Sequence, residues 1–190
     1  MSIETTKPLR ADAARNRQLV LKAALDTFAS EGLGVPLDEI ARRAGVGAGT
    51  IYRHFPTKDD LFRAVIGSLL ADIVADGRAM LHEPEPGEAL FRFLRLLILH
   101  WGADNQGLVD AFATVGLDWG SAGPVAEEEF LVLLGDLLRA AQDAGNARAE
   151  ITPLEVKTLM IGCQAMQGYN AALAESVTEV VLNGMRPRSA

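Results

Sequence analysis

Thr50, Tyr52, Arg53, His54 and Lys58 form a dense run of hydrogen-bond donors, and donors in this pattern suit phosphate oxygens and base edges. A phenol near the end of a short helix can donate to a phosphate. A lysine at the start of the next helix adds its charge to helix-terminal N–H groups that already favour anions. Tyr52 and Lys58 are the candidates for those two roles, and Thr50 and His54 can touch the same backbone. His54 has no His or Cys neighbour in sequence, so it is expected to donate and not to bind metal. Base reading falls to Ala48, Gly49 and Arg53, with a share for Thr50. Ala48 can offer only an apolar contact, to a thymine methyl, and Gly49 lets the backbone approach a groove. Arg53 suits either a guanine or a phosphate. On an arbitrary surface the same tyrosine and lysine would simply be solvated, so the elements that position them decide.

Residues 37–62, LDEIARRAGVGAGTIYRHFPTKDDLF, supply that positioning. Ala41 is small enough to let a second helix cross closely, and Gly45 stands at the turn, where a left-handed backbone costs glycine little. Val46 and Ile51 carry the apolar seam onto the second helix, and Ile40, Ala44 and Phe55 complete a small core. The spacing predicts a helix-turn-helix at 38–44 and 48–54. Arg42 and Arg43, on its first helix, either position DNA backbone or are solvated. Pro36 stands where a hydroxyl would commonly cap that helix, but Asp38 and Glu39 still place negative charge at its N-terminus.

Enzymatic chemistry finds no constellation. His54, His82 and His100 are far apart, and GxSxG, HExxH, CxxC and Walker-type loops are absent from the sequence. Gly45, Gly47 and Gly49 follow no strand, so they do not read as a phosphate loop. Cys163 lies among apolar residues and reads as an inert core thiol. No metal and no cofactor are expected. The net charge of −7 is unevenly spread. Residues 1–63 hold ten Lys/Arg against eight Asp/Glu, whereas the rest hold eight against seventeen. Lys7, Arg10, Arg15 and Arg17 cluster near the N-terminus, and Arg17 joins the expected DNA contacts. A local basic face can bind DNA on an acidic protein, because distant charges are screened. No signal peptide or membrane span is apparent, and one cysteine suits a reducing compartment, so a soluble cytoplasmic chain is expected.

The remaining pattern is helical throughout. Residues 1–9 read as a disordered arm, followed by a helix over 10–30 with Val20, Ala24 and Phe28 on one face and Gly32 beyond its end. Thr57 and Asp60 resemble a capping box opening a long helix over 58–81. HEPEPG at 82–87 breaks it. Further helices are predicted at 88–101, 106–117, 124–144 with Gly145 as stop, 153–172 behind a Thr152/Glu155 cap, and 177–184 behind Ser176.

The run EIARRAGVGAGTIYRHFPTKDDL, with Arg17, Val20, Leu21, Ala23, Ala24, Phe28 and Gly32 upstream, resembles the tetracycline-repressor (TetR) family of bacterial transcriptional regulators. The resemblance covers about residues 15–63. It implies an all-α fold with an arm and helix-turn-helix domain at 1–57, a connecting helix at 58–81, and an effector-binding and dimerisation domain at 82–190. By the same resemblance, Phe93, Leu97, Trp101, Phe112, Met160, Cys163, Gln164 and Gln167 lie on helices around a cavity for an apolar or amphipathic effector. The last two long helices would then make a homodimer, with Gly162, Ala165, Gly168 and Ala172 at the interface. The implied partner is a double-stranded, pseudo-palindromic operator released on effector binding. An activator, a ligand-independent regulator, or a helical enzyme or binding module with an idle motif are the alternatives.

Overall fold

A computed structural model of the chain describes residues 7–101 and 124–187. The described residues are helical and contain no strand: α1 (Lys7–Glu31), α2 (Leu37–Arg43), α3 (Ala48–His54), α4 (Lys58–Met80), α5 (Ala89–Arg95) continuing as a π turn (Leu96–Trp101), α6 (Pro124–Asp143), α7 (Pro153–Tyr169) and α8 (Ala174–Met185). They fall into two compact units, whose division lies inside α4 between Leu69 and Leu70.

In the first unit, apolar residues at helical spacing meet in one core. Val20, Leu21, Ala24 and Phe28 of α1 are buried, as are Ile40, Ala41 and Ala44 around α2, Ile51 and Phe55 of the α3 segment, and Leu61, Phe62, Val65 and Ile66 of α4. Phe28 meets Phe62 edge to face at 5.9 Å between ring centres. The α4 start is the predicted capping box: Asp60 N–H donates to the Thr57 hydroxyl at 3.1 Å, while Thr57 N–H donates to the Asp60 carboxylate at 3.1 Å. One expectation is corrected here. The first helix begins at Lys7, three residues before Arg10, so residues 7–9 of the predicted arm are helical.

The second unit packs the end of α4, α5, the π turn, α6, α7 and α8 around Leu90, Leu94, Ile98, Leu133, Leu137, Val156, Met160 and Leu182, all buried. Gly145 ends α6 as predicted, at φ 72°. Its N–H donates to Gln142 O at 2.9 Å and that of Asn146 to Ala141 O at 2.8 Å, the paired bonds of a Schellman stop. Gly87 is a close approach: a Cβ there would lie 2.5 Å from the Ala144 Cβ. Three ion pairs tie the elements. Arg186 binds Glu88 through two bonds of 2.9 and 2.7 Å and lies 3.9 Å over the Phe91 ring, Arg95 binds Glu179 at 2.7 and 2.9 Å, and Lys157 binds Glu127 at 2.5 Å.

Three further expectations change. The predicted helix at 88–101 is a short α5 that widens into the π turn. The α7 helix opens with the predicted Thr152/Glu155 box but stops at Tyr169, short of Ala172. The last helix begins at Ala174, and Ser176 lies inside it, donating its hydroxyl to Leu173 O at 3.1 Å instead of capping. The predicted helix at 106–117 lies outside the described residues.

Candidate DNA-binding interface

The geometry of the motif follows from its turn. Gly45, at φ 68°, donates its N–H to Arg42 O at 3.2 Å, and Val46 donates to Ala41 O at 3.0 Å. These bonds satisfy carbonyls that the end of α2 leaves without partners and fix the exit of the chain toward α3. At the other end of α2, Pro36 supplies no side-chain cap, and Asp38 and Glu39 occupy the first turn, so the helix forms as expected. Ile51 is fully buried and anchors α3. That leaves Ala48, Gly49, Tyr52 and Arg53 exposed on one side, with Thr50 and His54 half-buried beside them.

Each polar residue has a distinct setting. Tyr52 is 44% exposed, and the Asp38 carboxylate beside it pushes its phenol above the ordinary range, first by charge and then through partial burial and a hydrogen bond. Arg53 and Lys58 have no ion-pair partner among the described residues. Arg17 lies 5.5 Å above the Phe55 ring, which holds its guanidinium against the motif. His54 is turned inward: its Nε2 is buried and has no hydrogen-bond partner among the described residues.

Arg42 and Arg43 are exposed, but both are ion-paired. Arg42 makes a two-bond pair with Glu39 at 2.8 and 2.7 Å. Arg43 binds Glu39 at 2.9 Å and also Glu31 at the end of α1. Hydrogen bonds from Arg42 and then Arg43 pull the Glu39 carboxyl down to about 2. The i, i+3 and i, i+4 spacing of Glu39 from these arginines was visible in the sequence. The Asp38–Tyr52 pairing carries no such local signal.

In the second unit, a cavity of about 260 Å³ is lined by Ile73, Asp76 and Met80 of α4, Phe93 of α5, and Leu96, Leu97 and His100 of the π turn. Of the predicted effector residues, it gathers Phe93 and Leu97. Met160 and Cys163 are buried elsewhere in the unit, and Cys163 instead lines a second cavity of about 160 Å³ with Met166, Tyr169 and Leu173. Burial pushes the Cys163 thiol up, away from the reactive thiolate. Gln164 is half-buried, with its Nε2 unpartnered among the described residues. Phe112 lies outside the described residues, as do the side chains of Trp101 and Gln167. Ile73, Asp76 and Met80 were not among the predicted effector residues, although the end of α4 near Met80 was expected beside the pocket and their i, i+3, i+7 spacing marks one helix face.

Gly162 and Ala165 are exposed on α7, and Ala172 is exposed beyond its end. Gly168 lies on α7, outside the described residues in all but its backbone. Around them, Leu154, Ile161, Met166 and Tyr169 are exposed on α7, and Val180 is exposed on α8. Among the described residues, no helix is long and apolar enough to cross a membrane, and no group of three or more His, Cys, Asp or Glu could hold a metal.

The family of bacterial regulatory proteins called tetR matches residues 20–65, which span the motif, and the C-terminal domain of SbtR-like transcriptional regulators matches residues 85–187. The chain belongs to the TetR family. A crystal structure of the TetR transcription regulatory protein from Mycobacterium vanbaalenii is 50% identical, with a TM-score of 0.73, over 95% of this chain and 100% of that one. The TetR transcriptional regulator SCO0520 from Streptomyces coelicolor is 31% identical, with a TM-score of 0.70, over 91% and 99%. The HTH-type transcriptional regulator RutR of Escherichia coli K12 is 22% identical over 98% of both chains. This TetR-family protein is therefore a DNA-binding transcriptional regulator, of a family whose members are typically ligand-responsive repressors and not enzymes.

Proposed function

We propose that the protein is a cytoplasmic, homodimeric repressor that binds a pseudo-palindromic operator and releases it when a small molecule enters the cavity of Ile73, Met80, Phe93 and Leu97. The observation that carries the DNA half is the open α3 face, Ala48, Gly49, Tyr52 and Arg53, with Lys58 unpaired at the start of α4. On DNA, Tyr52 exchanges Asp38 for a phosphate oxygen, Lys58 holds a second phosphate, and Ala48 meets a thymine methyl. Thr50 supports the backbone contact. Arg17 steadies the motif through Phe55 and adds positive charge. Arg53 takes either a guanine or a phosphate.

The apolar face of α7 and the exposed Val180 of α8 support the dimer. An exposed apolar patch of this kind marks an interface, and a two-fold axis presents two recognition helices to successive major grooves about 34–36 Å apart. For release, α4 is the transmitting element: Lys58 begins it, and Asp76 and Met80 lie at its far end. A ligand that prefers the dimer with its recognition helices splayed pulls the protein off DNA, and DNA must weaken ligand binding equally. A coupling of ~1–3 kcal/mol gives a roughly 5–150-fold loss of operator affinity.

The test is a gel-shift with DNA flanking the protein's own gene, followed by a compound screen for release. The reading expects a sequence-specific shift, a compound that abolishes it, and resistance to that compound in Met80→Trp with operator affinity unchanged. A shift indifferent to sequence defeats the operator half. Release that persists at the same concentration in Met80→Trp moves the effector site elsewhere.

A further inference from the structure

We propose that the cavity between α4 and the π turn selects a lipophilic organic cation, an amine carried on an apolar body. This rests on the reading of that cavity as the effector site and concerns the charge of its ligand. The walls are apolar: Ile73, Met80, Phe93, Leu96 and Leu97. Two lining residues are polar, Asp76 and His100. An aspartate carboxylate only accepts hydrogen bonds, whereas a neutral imidazole accepts through one nitrogen and donates through the other, so Asp76 carries the charge preference. Among the described residues, no lysine or arginine lines the cavity.

The ion pairs of this unit sharpen the point. Arg92 is committed to Glu83 at 2.9 Å, Arg95 to Glu179 at 2.7 Å and Arg186 to Glu88 at 2.7 Å. Asp76 has no such cation or hydrogen-bond donor among the described residues. The counter-charge of Asp76 is therefore left for a ligand to bring. A carboxylate ligand meets repulsion at the same place, and a neutral one forgoes the attraction. The backbone adds an independent observation. Leu96, Leu97 and His100 enter the cavity from a π turn, a winding that is rare in helices and concentrated at functional sites.

The experiment compares three probes that share one apolar body: 4-phenylbutylamine, 4-phenylbutanol and 4-phenylbutanoate, titrated calorimetrically into the intact protein. Because Asp76 is exposed, its pairing energy is modest, and the amine should bind about fivefold more tightly than the alcohol, with the carboxylate weakest. Asp76→Asn should bring the amine to the affinity of the alcohol while leaving the alcohol unchanged, and Asp76→Glu should restore the preference. Met80→Trp should weaken all three. Equal binding of amine and alcohol to the native protein, with both lost in Met80→Trp, overturns the cation assignment and leaves the cavity as a binding site. No binding of any probe, or binding indifferent to Met80→Trp, overturns the cavity reading and the proposal with it.

Discussion

Tyr52 and Lys58 have opposite settings in the free protein, and the difference predicts different behaviour on DNA. Lys58 is unpaired among the described residues, so its whole charge is available to a phosphate. Lys58→Ala should weaken binding about equally on all sequences and reduce the magnitude of the salt slope by about one. Tyr52→Phe removes a neutral donor, so it should weaken binding without moving the slope. Fluorescence anisotropy at several salt concentrations separates the two, and unchanged affinity in the double variant defeats the phosphate assignment. Glu39 gives a second residue-scale prediction. Its carboxyl is held at about 2 by Arg42 and Arg43, below the ordinary value of 4.5. A lowered folded-state value means the stabilisation is complete above about 4.5 and is lost as pH falls toward about 2. Glu39→Gln should therefore flatten the loss of stability across that window, read by urea midpoints at successive pH values. Parallel curves for the two proteins count against the pairing.

Among the elements, one close join is where the Pro86–Glu88 turn meets the end of α6. Gly87→Ala would put a methyl 2.5 Å from the Ala144 Cβ and 3.0 Å from the Asn146 Nδ2. The Ala144 methyl cannot rotate aside, so a penalty of about 1–3 kcal/mol exceeds the roughly 0.4–1 kcal/mol gained by restricting the unfolded chain. Urea denaturation should register the net destabilisation, and an unchanged or higher midpoint refutes it. Elements announced by local chemistry were legible in the sequence: the Thr57/Asp60 and Thr152/Glu155 boxes, the glycine stops at Gly45 and Gly145, and the apolar stripe of α1. Elements set by tertiary packing were not. The π turn has no turn residue to mark it, and Ser176 resembled a cap although α8 had already begun behind a 3₁₀ turn. The recognition face was readable because its donors lie close together in sequence. The cavity joins α4 to α5 and the π turn, so periodicity could name the apolar faces but could not pair them.

For the whole molecule, the exposed apolar residues of α7 and α8 predict that assembly is separable from folding. Ile161→Glu combined with Val180→Glu should yield a folded monomer by sedimentation, with operator affinity lowered because each half-site is then bound singly. A dimer that persists in the double variant places the interface on another face. The arginine–glutamate net on α2 bears on how such a dimer would locate its operator. Arg42 and Arg43 face Glu39 and Glu31, so much of the positive charge of the motif is answered before any DNA arrives. Fewer condensed counterions would then be displaced at a random site, and random sites would hold the protein more briefly at cellular salt. The search would run as many short visits across the chromosome, with long residence reserved for the one sequence whose bases the α3 face fits.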